Sequence, residues 1–243
     1  MAGSRELGLG LGLGLGLGLD DGRIQMSLTE TKKWIERGGI VPVLRARSER
    51  EGHALVEALV AGGITVMEVT MTVPGAVDLL RVLKREFGSK LLLGSGTVTD
   101  AEQCTATIDA GAEFVVSPSF HPEVIARTKK LGKVSIPGAL TPTEVITAWR
   151  AGADYVKIFP CSAVGGAPYL KALLAPFPEL RLIPTGGVTL ATAVDFLKAG
   201  ARALGVGTDL VNPKWIEEGK PEKVTETARA YLEIVATHRH ARS

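Results

Sequence analysis

The sequence predicts an α/β fold, a (β/α)8 TIM barrel with an extra N-terminal helix. Three observations lead there. First, from Gly39 onward eight short apolar runs recur, at residues 40–45, 66–71, 91–97, 114–118, 134–140, 155–160, 181–187 and 203–210. Second, amphipathic stretches separate them, at 49–61, 76–85, 100–110, 122–131, 142–151 and 190–199. Strands alternating with helices build a parallel sheet covered by helices, and unbroken apolar strands suit a sheet buried on both faces. Third, several helices end on near-copies of one signal: Ala61-Gly62-Gly63, Ala110-Gly111-Ala112, Ala151-Gly152-Ala153 and Ala199-Gly200-Ala201. Glycine there takes the left-handed position that stops a helix. Eight units of roughly 20–25 residues make one barrel-sized domain. A doubly wound open sheet is the main rival, but no GxGxxG follows the first strand, which removes its commonest dinucleotide-binding version.

The elements follow in order. Residues 7–19 alternate Leu and Gly almost without interruption. Glycine at every second position weakens a strand or a helix, and the stretch is too short and too glycine-rich to span a bilayer. One Arg before it, and Asp20, Asp21 and Gly22 after it, make a poor signal peptide. Residues 1–25 are therefore read as a disordered low-complexity tail. Residues 26–243 are read as a single domain, in which Met26 precedes a helix over residues 28–37. Helix starts are marked too: Thr141-Pro142-Thr143-Glu144 places Pro at the first helical position and a carboxylate in the first turn.

Composition excludes several functions. With 28 Lys+Arg against 26 Asp+Glu the net charge is +2, so nothing draws the chain to nucleic acid or an acidic membrane. Aromatic residues make up 5%, too few for a base-stacking platform. The two cysteines, Cys104 and Cys161, form no CxxC pair and no disulfide framework, which suits a reducing cytoplasmic setting.

In a barrel of this kind the chemistry sits at the C-terminal ends of the strands. Those ends carry Arg45, Glu68 with Thr70 and Thr72, Thr97, Ser117-Pro118, Pro137-Gly138, Lys157, Thr185-Gly186-Gly187 and Gly205-Val206-Gly207-Thr208. Lys157 interrupts the apolar run Tyr155-Val156-Lys157-Ile158-Phe159-Pro160, and a charge buried there is costly unless paired. Desolvation and a nearby cation such as Arg45 favour the neutral amine that nucleophilic attack requires. The alternative is a lysine snorkelling at a strand end. Glu68 interrupts Val66-Met67-Glu68-Val69-Thr70 in the same way, either as a general acid/base or as an ion-pair partner of Arg45 or Lys157. The two glycine-rich turns close the seventh and eighth strands, the usual barrel site for a phosphate, where backbone N–H groups cradle an anion. No His/Cys/Asp cluster has metal-ligand spacing at these ends, so no metal is expected. His238 and His240 fall in a polar C-terminal tail read as solvated disorder. His53 and His121 fall near helix starts, far from a shared metal. Cys161 is read as a small packed residue.

From about Gly39 to Val211 the chain resembles the pyruvate-dependent aldolases that cleave 2-keto-3-deoxy-6-phosphogluconate (KDPG) or 4-hydroxy-2-oxoglutarate. The resemblance rests on Val41-Pro42-Val43-Leu44-Arg45, Glu68-Val69-Thr70, Gly94-Ser95-Gly96-Thr97-Val98, Ser117-Pro118, Ile136-Pro137-Gly138, Lys157-Ile158-Phe159-Pro160, Pro184-Thr185-Gly186-Gly187-Val188 and Gly205-Val206-Gly207-Thr208, in this order and spacing. It implies a class I, metal-free and cofactor-free aldolase that works as a homotrimer. It implies Lys157 as the Schiff-base lysine and Glu68 as the proton shuttle. Thr97, Pro118 and Phe159 would line the pyruvate pocket, and Gly186, Gly187, Gly207 and Thr208 would hold the phosphate. Many members carry Arg where this chain has Thr72, so Arg45 is expected to take more of the substrate carboxylate's charge.

The implied reaction splits KDPG into pyruvate and glyceraldehyde 3-phosphate, or 4-hydroxy-2-oxoglutarate into pyruvate and glyoxylate. Two alternatives stay open within the resemblance: an aldolase for the 6-phosphogalactonate epimer, and a non-catalytic self-assembling scaffold. Barrel isomerases and phosphate-ester synthases also carry interior Lys and Glu residues but need no covalent lysine.

Overall fold

A computed structural model describes residues 19–20, 23–24 and 26–240. The tail read over residues 1–25 therefore lies mostly outside the described residues. Within it, β1 (Leu19–Asp20) and β2 (Arg23–Ile24) pair antiparallel.

The rest alternates strands and helices: α1 (Leu28–Gly38), β3 (Ile40–Leu44), α2 (Glu49–Ala61), β4 (Val66–Thr70), α3 (Ala76–Phe87), β5 (Leu92–Gly96), α4 (Ala101–Asp109), β6 (Phe114–Val116), α5 (Pro122–Lys130), β7 (Val134–Ile136), β8 (Gly138–Ala139), α6 (Pro142–Arg150), β9 (Val156–Ile158), α7 (Ala167–Leu174), β10 (Leu182–Pro184), α8 (Ala193–Lys198), β11 (Leu204–Val206), α9 (Pro213–Glu217) and α10 (Glu222–His240). All ladders after the first pair are parallel. One runs β11-β3-β4-β5-β6-β7 and the other β10-β9-β8. An isolated parallel bridge, Thr185 with Gly205, links the ends of β10 and β11. The result is a curled, parallel α/β sheet.

Local signals account for the helix ends. Ser27 and Glu30 form a reciprocal capping box on α1, and Thr141 and Glu144 do the same on α6. The Ala-Gly stops behave as expected: Gly63, Gly111, Gly152 and Gly200 follow their helices at φ of 94°, 111°, 99° and 105°.

Two apolar layers result from the period-2 alternation of each strand. Met67, Val69, Val156 and Ile158 pack outward with Leu55, Leu59, Leu79, Leu83 and Leu170 of the helices. Val41, Val66, Phe114, Val134, Ile136, Tyr155 and Ile183 pack inward, and Ile35 of α1 joins this inner cluster. Asp154 anchors the same end of the sheet: it pairs with Lys32 of α1 at 3.3 Å and Lys129 of α5 at 2.8 Å, and accepts the Ser135 N–H at 3.0 Å.

The structure corrects three expectations. The strands end earlier than the apolar runs, because residues such as Arg45, Thr97 and Gly186 already belong to the loops. The run over 134–140 is two strands, because Pro137 between them has no N–H to give to a ladder. The C-terminal stretch is helical to His240, not solvated disorder. Val224, Ala228, Tyr231 and Val235 form its buried stripe, and Arg239 donates to the carbonyls of Glu36 and Arg37.

Candidate active site

Glu68 and Lys157 both sit at inward positions, on β4 and β9, which pair with different strands. Their side chains meet inside the curled sheet, with Lys157 Nζ 3.5 Å from Glu68 Oε1. Both are almost fully buried, at 5% and 2% exposure. At this separation the contact is an ion pair with no hydrogen bond to Oε1, so that oxygen has no hydrogen-bonding partner among the described residues. Burial pushes the Glu68 carboxyl above the ordinary carboxylate range, against the opposing pull of Lys157 and, further off, Arg45. Gly96 on the neighbouring strand makes room for this carboxylate: a Cβ there would lie 2.7 Å from Oε1.

A small cavity lies beside the pair. Val41, Val116, Ile136 and Ile183 give it an apolar wall, and Glu68, Lys157, Thr185 and Gly205 complete it. An apolar wall strengthens the electrostatics of any charge formed inside it.

The other predicted residues fall around this pair. Arg45 is exposed just past β3, and its charge reaches Glu68. Thr72 is exposed past β4, with Oγ1 2.7 Å from Thr70 Oγ1, while Thr70 donates to the Leu44 carbonyl at 2.8 Å. Thr97, past β5, is the one non-glycine among the described residues with a left-handed backbone, φ 59°. That conformation is costly for a β-branched residue, and such strain gathers at functional positions. Pro118 is half-buried past β6. Phe159 is half-buried, with its ring centroid 5.5 Å from Lys157 Nζ, and the Phe159–Pro160 peptide is cis.

The two glycine-rich turns lie at the ends of β10 and β11. Gly186 and Gly187 are both left-handed, φ 85° and 78°. The Ser162 N–H donates to the Gly186 carbonyl at 3.1 Å, and a Cβ on Gly187 would lie 2.3 Å from Ser162 Cβ. Gly207 faces open space, and Thr208 is exposed.

Two further residues belong to the site: Thr185, a strand end that lines the cavity, and Ser162, which packs against Gly187. Alternation along Ile183-Pro184-Thr185 carried the signal for Thr185, since it shares the inward face of Ile183. Nothing local in the sequence places Ser162 against Gly187. Among the remaining candidates, Cys161 lies beside the site, its N–H donating to the Thr185 carbonyl at 2.9 Å. Cys161 is buried, its thiol pushed up to about 11 by burial. His121 lies 2.9 Å from Ser119 Oγ. His53 lies with Glu57 and Glu86 on the outer faces of α2 and α3.

The arrangement offers a nucleophilic amine, a carboxyl able to hold or release a proton, and an apolar enclosure. Comparison with known proteins places the chain in a family. The family model described as KDPG and KHG aldolase matches residues 31–227. The 2-dehydro-3-deoxy-phosphogluconate aldolase of Treponema pallidum is 35% identical over 202 residues, 83% of this chain and 95% of the relative. The 2-dehydro-3-deoxy-6-phosphogalactonate aldolase of Escherichia coli is 33% identical over 84% of this chain and 99% of its own length. The crystal structure of KDPG aldolase from Legionella pneumophila, with pyruvate captured as a covalent carbinolamine intermediate, superposes with a TM-score of 0.77 at 31% identity, covering 83% of this chain and 97% of that one. The chain belongs to the KDPG and KHG aldolase family.

Proposed function

We propose that this protein is a class I aldolase that cleaves KDPG to pyruvate and glyceraldehyde 3-phosphate, with Lys157 as the imine-forming nucleophile. The observation that carries this reading is the buried Lys157–Glu68 pair, 3.5 Å apart beside an apolar cavity. The neutral amine of Lys157 attacks the C2 ketone, and loss of water leaves a protonated imine. That imine is an electron sink, so the C3–C4 bond breaks without a free carbanion. Glu68 takes the proton of the C4 hydroxyl, directly or through one water, as the aldehyde leaves. Its raised proton affinity then suits it to return a proton to C3 of the enamine. Hydrolysis frees pyruvate and Lys157.

Arg45, with Thr72 beside it, is assigned to the substrate carboxylate, and Thr97, Pro118 and Phe159 to the walls of the pyruvate pocket. Gly186, Gly187, Gly207 and Thr208 are assigned to the phosphate, which the left-handed turn at the end of β10 and the open space at Gly207 support. The galactonate relative supports the 6-phosphogalactonate epimer as the alternative substrate.

Residues 26–243 are proposed as one domain and a complete (β/α)8 barrel, with α1 over its N-terminal end. The Thr185–Gly205 bridge supports closure, as does the single residue, Pro137, between β7 and β8. A homotrimer and a cytoplasmic location complete the proposal, the second supported by two free cysteines. Among the described residues no helix is long and apolar enough to cross a membrane.

The test is borohydride reduction in the presence of pyruvate, followed by peptide mass analysis. A pyruvate adduct on Lys157 is expected; its absence from every lysine would remove the Schiff-base assignment. Steady-state rates on the two epimers and on 4-hydroxy-2-oxoglutarate then rank the substrates.

A further inference from the structure

One residue of the C-terminal helix ties the loops after β10 and β11 together. Tyr231 lies in the middle of α10 and is fully buried. Its hydroxyl donates to Asp209 Oδ2 at 2.5 Å and lies 3.5 Å from the Val188 carbonyl. The same Asp209 oxygen accepts the Leu190 N–H at 3.3 Å. Asp209 directly follows Thr208, and Val188 directly follows Gly187. The clasp thus joins the residues immediately beyond both glycine-rich turns. Burial, and then the bond to Asp209, hold the Tyr231 hydroxyl protonated well beyond its ordinary range, so it is a permanent donor.

A carboxylate one residue from an anion-binding turn is a liability, because like charges repel. Two donors, the tyrosine O–H and the Leu190 N–H, hold it in place here. A charged acceptor makes such hydrogen bonds stronger than neutral ones. A rigid spacing between two backbone turns matters most for a ligand that must touch both.

We propose that Tyr231, acting through Asp209, is a positioning residue that sets the spacing of the Gly186-Gly187 and Gly207-Thr208 turns and so governs selectivity for phosphorylated keto acids. The inference rests on the reading of those turns as the phosphate site. Tyr231 touches no reacting atom, so its loss acts on KM for the phosphorylated substrate and leaves the carbon–carbon cleavage step alone.

The experiment compares wild type, Tyr231→Phe, Asp209→Ala and the double variant in the full-length protein. KDPG and 4-hydroxy-2-oxoglutarate are the substrates, and inorganic phosphate is the competitor. Tyr231→Phe is expected to raise KM for KDPG about tenfold, the worth of one hydrogen bond to a charged group. Its kcat, and its KM for 4-hydroxy-2-oxoglutarate, should stay within about twofold, well under one hydrogen bond's worth. Asp209→Ala should do the same, and the double variant should be no worse than Asp209→Ala, because the two residues act through one bond. An equal rise for both substrates, no rise, or additive effects would overturn the proposal. If Tyr231→Phe does not fold, Asp209→Ala alone decides between a selective and a uniform effect. The underlying reading fails separately, and the proposal with it, if phosphate does not compete with KDPG in the wild type.

Discussion

Lys157 Nζ lies 3.5 Å from Glu68 Oε1, although the two side chains come from strands in different ladders. Val116, Ile136 and Ile183 line the space around them, so each charge has the other as its main compensation. A pair so placed does little for stability, since burial costs much of what the attraction returns. In the proposed reading it serves chemistry instead, with Lys157 as the nucleophile and Glu68 as the proton carrier.

Lys157→Ala is expected to abolish both turnover and the borohydride-trapped pyruvate adduct, read by intact mass. Adduct formation in this variant would move the nucleophile to another lysine.

Glu68→Gln is expected to keep the adduct and lose about 10²–10⁴-fold in kcat, the usual worth of a general acid–base group. Wild-type kcat/KM should show an acid limb above the ordinary carboxylate range, because burial raises the Glu68 carboxyl. That limb should vanish in Glu68→Gln. A pH profile identical in both proteins would show that Glu68 carries no proton in the reaction.

Stability should carry the same signature. Glu68 has a raised folded-state pKa, so as pH climbs past 4.5 the unfolded chain gives up this proton before the folded one does. The unfolded state then binds fewer protons, and wild-type stability falls as pH rises through the folded value. Glu68→Gln removes that loss. The difference in melting temperature, variant minus wild type, is expected to be smallest below pH 4.5 and to grow toward neutrality. A constant offset across this window would contradict a raised Glu68.

Gly187 can carry no side chain without displacing Ser162, and its φ of 78° disfavours one as well. Gly187→Ala should cost roughly 1–3 kcal/mol in urea unfolding, the range for a strained backbone position. Ser162→Gly in the same chain should recover part of it, because it removes the atoms the new Cβ meets. Additive costs in the double-mutant cycle would show that strain alone, and not Ser162, makes glycine necessary.

Deleting residues 1–25 is expected to leave melting temperature and turnover nearly unchanged. The capping box of α1 begins at Ser27, and the inner cluster draws on Met26, Leu28 and Trp34, all of which remain. A large drop in melting temperature would show that the domain needs the Leu/Gly stretch.

The sequence alone determined whatever depends on neighbours in the chain. Strand and helix alternation, the stops at Gly63, Gly111, Gly152 and Gly200, and the Thr141–Glu144 cap all follow from spacings of a few residues, and all appear in the structure. So does the inward placement of Glu68 and Lys157, which period-2 alternation in an apolar strand dictates. Helix α10 was legible in principle: Val224, Ala228, Tyr231 and Val235 recur at helical spacing. Polar residues between them hid it. Tertiary structure alone decided which distant residues meet. The Lys157–Glu68 contact, the clearance at Gly96, the crowding of Gly187 by Ser162 and the clasp of Tyr231 on Asp209 each join segments far apart in sequence. Such contacts depend on strand register and on how far the sheet curls, which are set by the packing of the whole molecule and leave no trace in local pattern.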